Sequence, residues 1–190
     1  MMARRSEVDW IAIGLTLLAE QGHVRLTVAD LCVRSGLTKG SLYHHYPDMG
    51  AFRAALLAAW RERNTERLIL EAERQASVAE KTRVLDHLAQ ALDPALERAV
   101  RNWAAHEALA RETVQQVDRQ RIDYLAGLCR EEGIAAAEAR DHATLTYAVY
   151  LGLQQLFGAD EQATLRRLAP KVEFVLPDRS GGDASPGRRP

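Results

Sequence analysis

From Thr38 to Tyr46 the chain collects hydrogen-bond donors instead of an apolar stripe: Thr38, Lys39, Gly40, Ser41, Tyr43, His44 and His45, with Leu42 as the one aliphatic side chain. An ammonium, hydroxyls, a phenol and imidazoles on a short segment suit one kind of chemistry. They can donate to phosphate oxygens and to the acceptor edges of bases, where Lys reaches guanine O6 and N7. Covalent catalysis is a poorer fit. His87, His106 and His142 fall on separate predicted helices, and no HExxH, Glu-x-x-His pair or nucleophile motif accompanies them. A helical metalloenzyme is therefore the weaker alternative, and no cofactor or metal is expected.

The elements that must carry these side chains are helical throughout, and no segment alternates as a strand does. Val8, Ile11, Ala12, Leu15, Leu18 and Ala19 predict an amphipathic helix over 6–21, stopped by Gly22. Thr27 with Asp30 opens a second helix, carrying Val28, Leu31 and Cys32 inward and ending at Ser35-Gly36. Thr38 opens the third, which Pro47 ends. Asp48 caps a fourth that runs to about residue 75 through Phe52, Leu56 and Trp60. Ser77-x-x-Glu80 and Asp93-Pro94 open two more. A long helix over about 105–132, striped by Val114, Val117, Ile122, Leu125 and Leu128, stops at Gly133. Another spans about 136–157, and a last segment ends near Leu176. The tail from Pro177, rich in Pro, Gly and Ser, has the composition of a disordered segment.

Two helices joined by a Gly-containing turn, the second short and polar outside, form a helix-turn-helix unit. Its second helix can lie in the major groove. At about 1.5 Å per residue, residues 38–45 span only about 12 Å, which reaches three or four base pairs. Useful specificity then requires two copies, reading half-sites about 34–36 Å apart. The stretch TLTYAVYLGLQQLF supplies a seam for such a pair, because it is apolar nearly all round and Gly152 lets a second backbone approach. Leu145, Val149, Gly152 and Leu156 are the residues placed at that seam; a central helix of a monomeric bundle would read the same way.

Composition bounds the rest. The chain has 190 residues, of which 47% are hydrophobic, and a net charge of −1, enough for a core and without a global field to attract a polyanion. Residues 1–50 hold five Arg or Lys against five Asp or Glu. Any nucleic-acid contact must rest on local placement, with Arg4 and Arg5 as a mobile arm and affinity falling steeply with salt. Cys32 and Cys129 lack a CxxC spacing and read as reduced thiols. No signal peptide or membrane-spanning run is evident, so the expected location is the cytoplasm.

Residues 10–57, WIAIGLTLLAEQGHVRLTVADLCVRSGLTKGSLYHHYPDMGAFRAALL, resemble the N-terminal domain of the TetR (tetracycline-repressor-like) family. The shared features are the Gly after helix 1, the Thr-Val opening helix 2, SGLTKGSLYHHY, and the Asp that starts helix 4. The resemblance implies an all-α regulator in three parts: a helix-turn-helix domain over 1–50, a helical effector-binding and dimerisation domain over 51–176, and the tail 177–190. It implies a palindromic operator in double-stranded DNA, a homodimer, and repression released by a small molecule. A constitutive dimeric regulator without a ligand is the alternative. By position, Thr27 and Tyr43 contact phosphates, Lys39 and Ser41 a base or a phosphate, and His45 a base or the backbone. Gly40 permits close approach, Thr38 caps, and His44 flanks. Leu42 and Tyr46 belong to the small core. The family often carries Lys at the start of helix 4, where this chain has Met49-Gly50. Candidate effector-pocket residues are Leu56, Trp60, Leu88, Leu92, Trp103, His106, Tyr124 and Tyr147, although Trp and Tyr at helical spacing serve equally as core filler.

Overall fold

The computed structural model describes residues 9–156 and Arg167. Residues 6–8 of the expected first helix, the Arg4-Arg5 arm, the segment ending near Leu176 and the tail lie outside the described residues. Helix α1 (Trp10–Gln21) begins later than its apolar spacing predicts, because Asp9 caps it by accepting from the Ala12 amide at 2.9 Å. A 3₁₀ turn (His23–Arg25) leads to α2 (Val28–Ser35), then α3 (Lys39–His45) and α4 (Met49–Arg61). Gly36 ends α2 in the left-handed region, φ 68°, with its amide on the Cys32 carbonyl at 2.9 Å. A residue without Cβ takes that conformation at little cost.

The fourth helix does not run as one α-helix to residue 75. It passes through a π-turn (Glu62–Glu66) and continues as α5 (Arg67–Glu73). Phe52, Leu56, Trp60, Asn64, Leu68 and Ala72 are all buried along this rod, at a strict spacing of four. After it come α6 (Val78–Gln90), capped by Ser77, and α7 (Pro94–Ala104), capped by Asp93. Next is α8 (Ala108–Glu131) and then α9 (Ala136–Leu156), which packs along α8. Helix α8 starts three residues later than expected. The amides of His106 and Glu107 both bond the Trp103 carbonyl, at 2.9 and 3.1 Å, turning the chain between α7 and α8.

One apolar core joins the two halves. Leu15, Leu18, Leu31, Leu42, Phe52 and Trp60 continue into Val100, Trp103, Val114 and Val117, with α1 lying against α7. Helices α1 and α4 approach closely at Gly14, where a Cβ would stand 2.7 Å from Phe52 Cζ and 2.8 Å from Leu56 Cδ1. Arg34 donates twice to Glu20, at 2.6 and 2.8 Å, and ties α2 to α1. The short third helix is thus held on a rigid base.

Candidate nucleic-acid interface

Leu42 decides how α3 sits. It is buried, and Tyr46 follows on the same side with its ring edge-on to Phe52 at 5.1 Å. Burial holds the Tyr46 phenol above its ordinary pKa, with Asp9 adding to the effect. The other side chains are left outward. Lys39, Gly40, His44 and His45 are exposed, and Ser41 and Tyr43 are partly so. The Lys39 ammonium lies over the Tyr43 ring, 5.4 Å from its centroid, and His44 meets His45 edge to face at 5.4 Å. Thr38 caps the helix by accepting from the Ser41 amide at 3.4 Å. Among the described residues, the side chains of Lys39, Ser41, Tyr43, His44 and His45 make no hydrogen bond or ion pair. In water such groups cost nothing unpaired, and they add little to the fold.

Thr27 differs from them. Its hydroxyl donates to Asp30 Oδ2 at 2.7 Å while accepting from the Asp30 amide at 3.1 Å, and its own amide donates to the Arg25 carbonyl at 2.8 Å. Arg25 completes the box with a 2.6 Å bond to Asp30. The groups of Thr27 expected to meet a phosphate are therefore engaged within the protein, and the donors left at this helix end are backbone amides of the first turn. At α4, Met49 packs against the core and Asp48 accepts from the Ala51 amide at 2.7 Å. A cationic side chain is missing from that helix end.

A second candidate site lies deeper. A cavity of about 120 Å³ opens between the π-turn, α5, α6, α8 and α9. Of the expected pocket residues, Leu92, Tyr124 and Tyr147 are on its wall. The others are elsewhere. Leu56, Trp60 and Trp103 are fully buried in the core. Leu88 is off the wall, although its neighbours Leu85 and Ala89 are on it. His106 sits in the turn after α7, stacked on His23 at 5.3 Å. Large aromatics at helical spacing fill the core first, which is why size alone chose poorly.

Sequence reasoning missed Asn64, Thr65 and Arg121, which also line the cavity. Their signal was present: Asn64 is a polar residue on the buried every-fourth stripe. Arg121 donates from Nε to Thr65 Oγ1 at 2.9 Å and from Nη2 to the Asn64 carbonyl at 3.1 Å. It also donates to Glu97 Oε1 at 3.0 Å and Oε2 at 3.5 Å, and to the Tyr147 hydroxyl at 3.1 Å. Arg101 bonds Glu97, Asp118 and the same hydroxyl, and Tyr147 donates to Asp118 at 2.6 Å. Burial opposes the charge on both arginines, yet their carboxylate and phenol neighbours outweigh it and hold both above the ordinary guanidinium value. Burial pushes the Tyr147 phenol up and that of Tyr150 to about 12. All of these groups keep their neutral-pH forms.

Among the described residues no group of His, Cys, Asp or Glu is placed to hold a metal ion, and no helix is long and apolar enough to cross a membrane. No curated protein matches the chain closely enough to count as a relative. The family model described as bacterial regulatory proteins, tetR family, matches residues 11–56, from α1 into α4. A solvent-facing polar α3 on a packed three-helix base fits that match, and residues 11–56 of this chain are a tetR-family domain, which supports a DNA-binding transcriptional regulator.

Proposed function

We propose that the protein acts in the cytoplasm as a homodimeric repressor on a palindromic operator and is released by a small molecule bound in its helical domain. The observation that carries the reading is the unpaired outer face of α3. Lys39, Ser41, Tyr43 and His45 are its reading side chains, Gly40 allows close approach, and Thr38, His44 and the amides after Thr27 flank them. One copy covers too few base pairs to select a site. Helix α9 supports a partner copy: Leu145 is 54% and Leu156 75% exposed. Among the described residues a Cβ added at Gly152 would meet nothing within 4 Å, which leaves room for another backbone between them. Val149 lies beside this strip. The cavity under the π-turn favours a ligand-responsive regulator over a constitutive one.

Selection from random duplexes by the purified protein tests this reading. The expected product is an inverted repeat whose half-sites lie about one helical turn apart. Enrichment of a single short element, or of nothing, would overturn it.

A further inference from the structure

Outside the α3 face stand the His23–His106 stack, the Lys81 cluster with Glu73 and Glu131, and the polar end of the cavity. The last carries furthest. We propose that the cavity takes an uncharged, mainly apolar molecule of about one aromatic ring, bearing a carboxamide or similar neutral donor-and-acceptor group that pairs with Asn64. This rests on the reading of the cavity as an effector site and adds the chemistry of its occupant.

Size comes first. An aliphatic cavity of about 150 Å³ holds benzene, and this one measures about 120 Å³, with Leu68, Ile69, Leu85, Leu92 and Leu125 on its wall. Charge comes second. The guanidinium of Arg121 has five N–H bonds, and five protein acceptor contacts use them: Thr65, Glu97 twice, Tyr147 and the Asn64 carbonyl. Glu97 and Asp118 balance Arg121 and Arg101 one for one. Asp86, on the exposed edge of the wall, is itself engaged. A ligand carboxylate would have to displace Glu97 from Arg121, and a ligand cation would find the buried carboxylates already bonded. An unpaired charge in such a place is expensive.

The third observation names the polar group. Asn64 is 7% exposed and lines the cavity, yet its side-chain amide has no partner among the described residues. Its backbone carbonyl accepts from Arg121. The amide borders the open space of the cavity, so its two donors and its acceptor are left to whatever fills that space. Beside it the Thr65 hydroxyl, 2% exposed, accepts from Arg121 and has no acceptor for its own hydrogen among the described residues. A flat neutral amide satisfies Asn64 in both directions.

Benzamide, benzoate and benzamidinium share one shape and differ in charge. Each is titrated into the full-length ¹⁵N-labelled protein, and the Asn64 side-chain NH₂ signals are identified by their loss in Asn64→Ala. Benzamide is expected to move those signals and to bind on the order of tenfold more tightly than either ion. Asn64→Ala should weaken benzamide on the order of tenfold, the effect of one or two net hydrogen bonds. If that variant does not fold, the ranking on the unmodified protein decides. An ion that binds as well as benzamide overturns the proposed class while leaving the cavity a ligand site. Benzamide binding that leaves the Asn64 signals in place overturns the assigned contact. Failure of all three to bind overturns the class and the effector reading together. Benzamide that binds as predicted without changing operator affinity counts against the effector reading alone.

Discussion

The outer face of α3 and the polar centre of the helical domain use the same side-chain types in opposite ways. On α3 a lysine, a serine, a tyrosine and two histidines face outward with no hydrogen-bond partner among the described residues. Around Glu97, which is 1% exposed, two arginines, a tyrosine and an aspartate bond one another, with Arg101 Nε the one buried donor of the group left over. The difference separates what a polar residue does for the fold from what it does for a partner. Saturated groups hold the protein together, and open ones contribute little to that. Asn64 is instructive because it is buried like the first set and open like the second.

The sharpest test of that contrast removes Glu97. Glu97→Ala leaves Arg101 and Arg121 buried without their shared carboxylate, and the expected loss is about 3–5 kcal/mol. For a chain of this size that is a fall in Tm on the order of 10 °C, read by calorimetry. An unchanged Tm would show that the cluster is not structural. The opposite result is expected on α3. Lys39→Ala or Tyr43→Ala should weaken operator binding by about 1–3 kcal/mol with Tm unchanged. A stability loss with intact binding would reverse the comparison.

A smaller effect tests the third surface, α9. Because no described residue stands within 4 Å of a Cβ at Gly152, Gly152→Leu should not disturb the fold of one chain. It should raise the dimer dissociation constant, with an overpacking cost of about 1–3 kcal/mol, seen by sedimentation. An unaltered dimer would place the seam elsewhere.

The smallest effect concerns the contact between the N-terminal helices and the helical domain, where His23 faces His106, Glu107, Arg53 and the Trp103 ring. Burial lowers the His23 pKa below 6.5, the neighbouring His106 and Arg53 lower it further, and Glu107 works the other way. Its folded pKa lies under its unfolded one, so the unfolded chain binds more protons between the two. The stability tied to neutral His23 is fully present above pH 6.5 and is lost as pH falls through the folded value. Acidification from pH 7.5 to 5.5 should therefore lower the Tm of His23→Asn slightly less than that of the unmodified protein. Equal losses would remove His23 from the pH response.

Much of this was legible in the residues. Thr27, Thr38, Asp48, Ser77 and Asp93-Pro94 place helix starts because a side-chain oxygen before an apolar run has an unsatisfied amide to accept from, and each caps as expected. The exposed face of α3 was legible for a related reason: a helix with one aliphatic anchor has only one side to bury. The cavity was not. Which of Leu85, Leu88 and Ala89 faces it depends on how four helices meet, and spacing along α6 permits all three. Arg121 was hidden because a lone arginine on an amphipathic helix reads as solvated. Its burial follows from Glu97, 24 residues away in the chain and adjacent only in space. Gly14 was hidden in the same manner, since the need for a missing Cβ comes from Phe52 and Leu56 on another helix.

The wide turn at Glu62–Glu66 has one more consequence, for phase. Side chains recurring every fourth position drift by about 40° per step on an ordinary α-helix, so from Phe52 to Ala72 the drift would reach about 200° and carry the two ends to opposite sides. The surplus residue in the turn takes back about 100° of that rotation, which lets a single rod present one continuous inward edge from the N-terminal helices to the cavity.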